Sequence, residues 1–243
     1  MTRRYFVENP IKGHLARLVG PEAHHLSHVM RAAVGDELTL FDGSGDEFTA
    51  KVAKIGRSEA VCEILKRHTV DRESVRQVVL GVALPKRERQ RWLVEKAVEL
   101  GCHTLVPLTT ARSVSPAGEG VLGKLRRGVI EASKQCGRNR LMQIESATDF
   151  AEFLGTAPPD ALKLLAHPSE AVTRADAFED GINTAGVYVA IGPEGGFTDE
   201  EITLAKDAGW QTVDLGSRIL RTETAAVAML VPLTLVTPLP ADK

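Results

Sequence analysis

The sequence predicts an α/β protein, a mostly parallel sheet covered by helices and preceded by a small antiparallel β-barrel. Three observations carry that prediction. From residue 75 onward, apolar strand-like runs alternate with helical stretches, the rhythm of parallel βα units. Before residue 70, short strand-like runs follow one another at hairpin spacing, separated by DGSGD and GRS turns. Between the two regimes stands a polar stretch, HTVDRES at 68–74, which reads as a linker. The expected division is therefore residues 1–70 and residues 75–243.

In the first region the expected strands are 37–41, 47–55 and 60–65, with one helical piece at 21–31. In the second, 78–84 is an apolar strand, and Pro85 suits the first position of a helix that runs to Leu100 and is closed by Gly101. Residues 103–108 form the next strand. Glu119 to Cys136 reads as a helix, because Val121, Leu122, Leu125, Val129, Ala132 and Cys136 fall along one side and Gly137 follows. Further strands are expected at 161–166, 186–191 and 211–215, with a helix at 199–208 between the last two. A final helix begins near Thr222.

Length and composition bound the function. A chain of 243 residues can bury one large core or two modest ones. An apolar fraction of 43% with 26% charged residues is that of a globular protein, not of a disordered or fibrous one. The net charge of −2 excludes a global field for nucleic acid, so any basic surface must be local. Cys62, Cys102 and Cys136 are odd in number and widely spaced, which fits a reducing compartment better than a disulfide or zinc framework. The N-terminal MTRRYFVENP lacks a signal-peptide core, and the late apolar run from Ala225 to Val236 is interrupted by Pro232 and too short to span a bilayer. A cytoplasmic location without a membrane anchor is the expectation.

Two loops hold the most information. GPEGGFTDEE at 192–201 follows the unbroken apolar run Val187-Tyr188-Val189-Ala190-Ile191, a strand buried on both faces. Thr198 and Glu201 stand three apart, the spacing of a capping box, and Asp199 and Glu200 suit the positive end of the helix that follows. The glycines before it either let backbone N–H groups approach a ligand closely or simply make a tight βα turn. No Gly-Lys-Ser/Thr follows, and the G-x-G-x-x-G spacing is absent, so neither a Walker loop nor a Rossmann fingerprint is present. The second loop, in DLGSRILRTETAAVAML at 214–230, places Gly216 at a turn and Arg221-Thr222-Glu223-Thr224 at the mouth of the last helix. Loops after successive parallel strands share one sheet edge, where ligands of such folds bind. The apolar stretch from Leu215 to Leu220 suits a flat heteroaromatic ring. Glu223 can equally be a favourable charge at a helix start.

Charge and histidine patterns are less specific. Between 123 and 140, Lys124, Arg126, Arg127, Lys134, Arg138 and Arg140 face only Glu131. That run is either a solvated helix face or, beyond Gly137, a loop presenting Arg138, Asn139 and Arg140 to phosphates. Lys86, Arg87, Arg89 and Arg91 form a second basic group. In PEAHHLSHVMR at 21–31, His24, His25 and His28 have helix-face spacing but lack a clear third metal ligand, so packing of Leu26, Val29 and Met30 is the preferred reading.

Taken together, IGPEGGF, LGSRILRTETA, KQCGRNR, the helix WLVEKAVELG ahead of a strand, AHP at 166–168, and the early HHLSHVMR and LFDGSG resemble the RsmE family, the 16S ribosomal RNA uridine-N3 methyltransferases of the SPOUT superfamily. The resemblance covers essentially the whole chain with the motifs in order, and GPEGG with LRTETA is a specific combination. It implies a PUA-like β-barrel for RNA recognition, a SPOUT α/β domain with a C-terminal trefoil knot, a homodimer, and S-adenosylmethionine as cofactor. Carried over position by position, the cofactor pocket comprises Leu165, His167, Ile191, Gly192, Glu194, Gly195, Gly196, Leu215, Gly216, Ile219, Leu220 and Arg221. RNA contacts fall on Arg3, Arg4, His25, Arg31, Lys86, Arg87, Arg138, Asn139 and Arg140, and no metal is implied. AHPSEA at 166–171 departs from the family pattern in being less basic.

The function expected is methylation of N3 of a uridine in the decoding region of 16S ribosomal RNA, within an assembled small subunit. Arg221 is expected to stabilise charge on the uracil as the main effect, with the N3 proton leaving to Glu223 or to water. The alternatives are a related enzyme acting on ribose O2′ or guanine, and a non-catalytic RNA-binding module in which both glycine loops are plain turns.

Overall fold

A computed structural model describes residues 3–86, 88–113, 117–168, 178 and 186–235. The described residues up to Glu73, together with Ile130–Leu141, form one compact unit, and the remainder form a second.

The first unit is built on a curled five-stranded sheet in the order β1 (Arg4–Phe6), β3 (Glu37–Phe41), β4 (Asp46–Ile55), β5 (Glu59–Thr69), β2 (Leu15–Val19). β1 runs parallel to β3, and the other pairs are antiparallel. Alternation along β4 buries Phe48, Ala50 and Val52, and register shifts at Thr49/Ala50 and Val52/Lys54 add the twist that curls the ribbon around its core. β5 is longer than its apolar pattern suggests. Thr69 and His68, read as linker, pair with Asp46 and Glu47 instead. The expected helix at 21–31 is a short α1 (Gly20–His24) continued by a π-helical turn, His25–Val29, in which the Met30 N–H donates to the His25 carbonyl at 2.9 Å. His24 and His28 stack there with ring centroids 4.5 Å apart.

The second unit holds a seven-stranded sheet whose pairings are all parallel, in the order β12 (Gln211–Val213), β10 (Leu162–Ala166), β11 (Gly186–Ile191), β6 (Gln77–Val82), β7 (Thr104–Thr109), β8 (Gln143–Ile144), with β9 (Thr148–Asp149) also on β7. α2 (Glu88–Glu99) packs on α6 (Thr222–Thr234), which lies against β6 and β11. α4 (Phe150–Thr156) and α5 (Asp199–Asp207) pack together over a core that includes Phe150, Phe153, Ile202, Ala205 and Trp210. α3 (Glu119–Cys136) has the bounds its pattern predicts.

Gly81 shows how tightly the sheet is covered. A Cβ at this central β6 position would lie 2.5 Å from the ring of Phe153, which is 1% exposed. Gly81→Ala is expected to destabilise the protein by roughly 1–3 kcal/mol through overpacking. A thermal melt reads this directly, and an unchanged midpoint would contradict the packing.

Candidate functional site

β12, β10 and β11 are neighbours, so the loops that leave their C-terminal ends meet at one edge of the sheet. They enclose a cleft of about 400 Å³. On one wall, the chain leaves β11 at Gly192 and turns tightly, with the Gly196 N–H donating to the Pro193 carbonyl at 2.8 Å. Gly196 has φ +68°, a left-handed conformation that suits glycine, and a Cβ there would enter open space. Phe197 tucks beneath, so that a Cβ on Gly192 would meet its ring at 3.1 Å. The helix start then follows as the sequence predicts. Thr198 Oγ1 accepts from the Glu201 N–H at 3.2 Å, and Glu201 Oε2 accepts from the Thr198 N–H at 2.8 Å.

Two further contacts fix this loop. Glu201 Oε1 accepts from the Ala111 N–H at 2.8 Å, and Arg112 donates to the carbonyls of Gly195 and Phe197 at 2.7 and 3.2 Å. Arg112 also lines the cleft, and sequence reasoning missed it. The available signal was its place just beyond β7, at the same sheet edge.

The opposite wall is the loop after β12. Asp214 Oδ1 accepts from the Gly216 N–H at 2.8 Å, Gly216 takes φ +104°, and Ile219 stands 94% exposed at the rim. The Thr222 hydroxyl donates to the Gly192 carbonyl at 3.2 Å, joining the start of α6 to the glycine loop. Beneath them the His167 N–H donates to the Val213 carbonyl at 3.0 Å. Burial first, and then the Lys206 charge, hold the His167 imidazole below its ordinary pKa, so it is neutral at pH 7. Charged side chains in the lining are Glu194, Asp199 and Asp214 against Arg112 and Arg218. A cleft so lined favours a zwitterionic or cationic ligand over a polyanion.

Residues 72–233 match the family described as RNA methyltransferase domain, and residues 18–65 match the RNA methyltransferase PUA domain. Ribosomal RNA small subunit methyltransferase E of a Synechocystis species is 32% identical over 88% of this chain and 70% of its own length. The chain belongs to the ribosomal RNA small subunit methyltransferase E family. The family's Neisseria gonorrhoeae structure, bound to S-adenosyl methionine, is 30% identical with a TM-score of 0.87 over 95% of each chain. A methyltransferase structure from Legionella pneumophila in complex with SAM is 33% identical, with a TM-score of 0.88 over 96% of this chain and 97% of that one.

The structure places the sequence-predicted residues of this family member unevenly. His167, Ile191, Gly192, Glu194, Gly195, Gly196, Leu215, Gly216, Ile219 and Leu220 line the cleft. Leu165 is instead fully buried in β10, where it serves the core. Arg221 is exposed between two lining residues and is not itself in the wall. Glu223 is 8% exposed and turns toward α2, with Oε1 3.5 Å from Arg89 Nε and Oε2 without a hydrogen bond among the described residues. Its ionic neighbour is therefore Arg89, a residue the sequence reading left in a generic basic group.

The expected RNA-facing set is also divided. Arg31, Lys86 and Arg140 are exposed, Arg3 pairs with Asp36, and Arg87 lies outside the described residues. Arg138 and Asn139 do not stand on an open loop. Arg138 is 4% exposed, with Nε donating to both Glu73 oxygens at 2.9 and 3.0 Å. Asn139 is 2% exposed, accepts from Arg4 and donates to the Val70 carbonyl. Their polar groups close the first unit on itself, and of the three loop side chains only Arg140 remains outward. Among the described residues no cluster of three potential metal ligands is present, and no helix is long and apolar enough to cross a membrane.

Proposed function

We propose that the protein methylates N3 of a specific uridine in the decoding region of 16S ribosomal RNA, using S-adenosylmethionine. The observation that carries this reading is the cleft: an open glycine loop with Gly196 in the left-handed region faces an apolar loop at one sheet edge, in a member of a ribosomal RNA methyltransferase family. Ile191, Leu215, Ile219 and Leu220 suit the adenine ring, and the loop from Gly192 to Gly196 offers backbone polar groups to the amino-acid end. The carboxylates of Glu194, Asp199 and Asp214, with a neutral His167, suit the positive charge of a sulfonium. When bound, S-adenosylmethionine supplies an activated methyl group and its own leaving group. The chain must do the rest. Uracil N3 keeps its imide proton at neutral pH and is then a poor nucleophile, so the site must favour its loss, to solvent water or to Glu223. Arg221, an exposed permanent cation between Leu220 and Thr222, is assigned to stabilise negative charge on the uracil oxygens.

The decisive experiment is mass spectrometry of nucleosides from small ribosomal subunits treated with the protein and labelled S-adenosylmethionine. Labelled 3-methyluridine is the expected product. Label in a ribose 2′-O-methyl nucleoside or a methylguanosine would overturn the assignment.

The reading includes a cytoplasmic homodimer with a knotted C-terminal region, acting on the assembled subunit. α6 supports the dimer. Its Ala225, Ala226, Met229, Leu230 and Leu233 are buried within the chain, whereas Val231 is 40% and Leu235 60% exposed, and Val227 continues the same stripe at helical spacing. Light scattering is expected to give twice the 26.2 kDa chain mass, and Val231→Glu to shift it toward the monomer. A monomer for the unaltered protein at micromolar concentration would contradict this.

A further inference from the structure

The fold uses one nitrogen of the Arg112 guanidinium and leaves the rest of the fork free. Nη1 donates to the Gly195 carbonyl at 2.7 Å and to the Phe197 carbonyl at 3.2 Å, which engages both of its protons. Nε and Nη2 make no hydrogen bond among the described residues, and Arg112 forms no ion pair there. Those two nitrogens present the parallel N–H pair with which an arginine grips a carboxylate. The side chain is exposed and lines the cleft, so a ligand can reach the free edge. Its stem is held in place, since a Cβ on Gly195 would lie 3.3 Å from Arg112 Cδ.

Position along the cleft indicates which part of a ligand meets this fork. The lining holds a second cation, Arg218, but it stands beside Ile219 on the apolar loop that suits the adenine. Arg112 lies against the opposite wall, the glycine loop, which faces the amino-acid end. That end carries one carboxylate and one ammonium. Glu194, on the same loop, offers the ammonium an opposite charge. A carboxylate placed among Glu194, Asp199 and Asp214 needs a cation that none of them already engages, and Arg112 supplies one.

We infer that the free fork of Arg112 takes the carboxylate of the cofactor's amino-acid end. One side chain then holds the glycine loop through its carbonyls and selects a ligand that carries an α-carboxylate. The inference rests on the assignment of S-adenosylmethionine to this cleft. It adds to the site a specificity-determining residue that lies outside both glycine-bearing motifs, on the segment after β7.

The test is calorimetric titration of the full chain with S-adenosylmethionine and with decarboxylated S-adenosylmethionine, which keeps the sulfonium and the ammonium. The unaltered protein is expected to bind the carboxylate-bearing ligand about tenfold or more tightly, the usual worth of a charge-assisted bidentate contact. Arg112→Gln should reduce that preference to below about threefold, because the amide keeps a donor for the loop carbonyls and loses the charge and the fork. Arg112→Lys should leave an intermediate preference, since it retains the charge alone, and it gives a second reading if Arg112→Gln fails to fold. An equal loss of affinity for both ligands in these variants would make Arg112 a loop latch only and overturn the proposal. So would an undiminished preference in either variant, or a preference that vanishes in Arg218→Gln and survives in Arg112→Gln. Equal binding of the two ligands by the unaltered protein would overturn this inference and leave the cofactor reading standing. Failure of the unaltered protein to bind either ligand would defeat the cofactor reading itself.

Discussion

Gly196→Val is expected to abolish S-adenosylmethionine binding in a protein that still folds. The backbone at Gly196 has φ +68°, and a β-branched residue there is strained by more than the roughly 1–2 kcal/mol usual for an L-residue in this region. Among the described residues, and apart from its own chain neighbours, no atom lies within 4 Å of the added Cβ, so the Cβ itself meets no collision there. The new side chain instead occupies the mouth of the cleft, and its strain can be relieved only by moving the loop that Arg112 and the Pro193 carbonyl hold. Both routes damage the ligand site. Gly209 provides the control, since it has φ +79°, equally open surroundings and no place in the cleft lining. Gly209→Val should show a similar loss of stability with cofactor affinity retained. Calorimetric titration of both variants separates local from global effects. Undiminished affinity in Gly196→Val would remove this loop from the cofactor site.

The helix start beside the cleft and α3 were legible because their determinants are local. The capping box needs only Thr198 and Glu201 three residues apart, and both of its hydrogen bonds form. α3 depends on a one-sided apolar pattern and a glycine stop, both contiguous. The missed features depend on distant partners. β1 is three residues long and exists through its register with Thr39, Leu40 and Phe41. A charge pattern reveals Arg138 as a cation but cannot show that Glu73, 65 residues away, engages it. Glu223 likewise has its ionic neighbour on a helix far earlier in the chain. α4 is a different case. Its signal was present, with Asp149 accepting from the Ala151 N–H at 2.9 Å before an apolar turn, but seven residues are too few for periodicity to declare a helix.

The return of Ile130–Leu141 to the first unit has an experimental consequence. A fragment beginning at residue 72 would strip Arg138 and Asn139 of the Val70 and Arg4 contacts and uncover a buried helix end, so it is a poor probe of which unit reads RNA. Point variants in the intact chain keep those contacts and separate the roles more cleanly.

Arg221→Ala is the substitution expected to cost most in turnover. Arg221 is the N-cap residue of α6, yet its side chain makes no capping bond, and Leu220 and Thr222 on either side of it line the cleft. An exposed guanidinium so placed makes no side-chain hydrogen bond among the described residues, and on the proposed reading it borders the space where a uracil presents N3 to the cofactor. Loss of the imide proton spreads negative charge over O2 and O4, and a fixed planar cation stabilises that charge more than it stabilises the neutral base. Removing such a donor lowers turnover by roughly a hundredfold or more. Because Arg221 stands outside the cleft wall, cofactor affinity should be unchanged. Arg221→Lys should recover only part of the rate, since it keeps the charge and loses the fork. Glu223→Gln should cost less than Arg221→Ala, because its carboxylate faces Arg89 at 3.5 Å and is absent from the cleft lining. The pH profile identifies the mechanism. As pH rises the uracil imide ionises without help, so the Arg221→Ala defect should narrow steadily toward alkaline pH. A defect of constant size across that range, or one confined to cofactor affinity, would make Arg221 a binding residue and leave the charge on uracil to be stabilised by some other group.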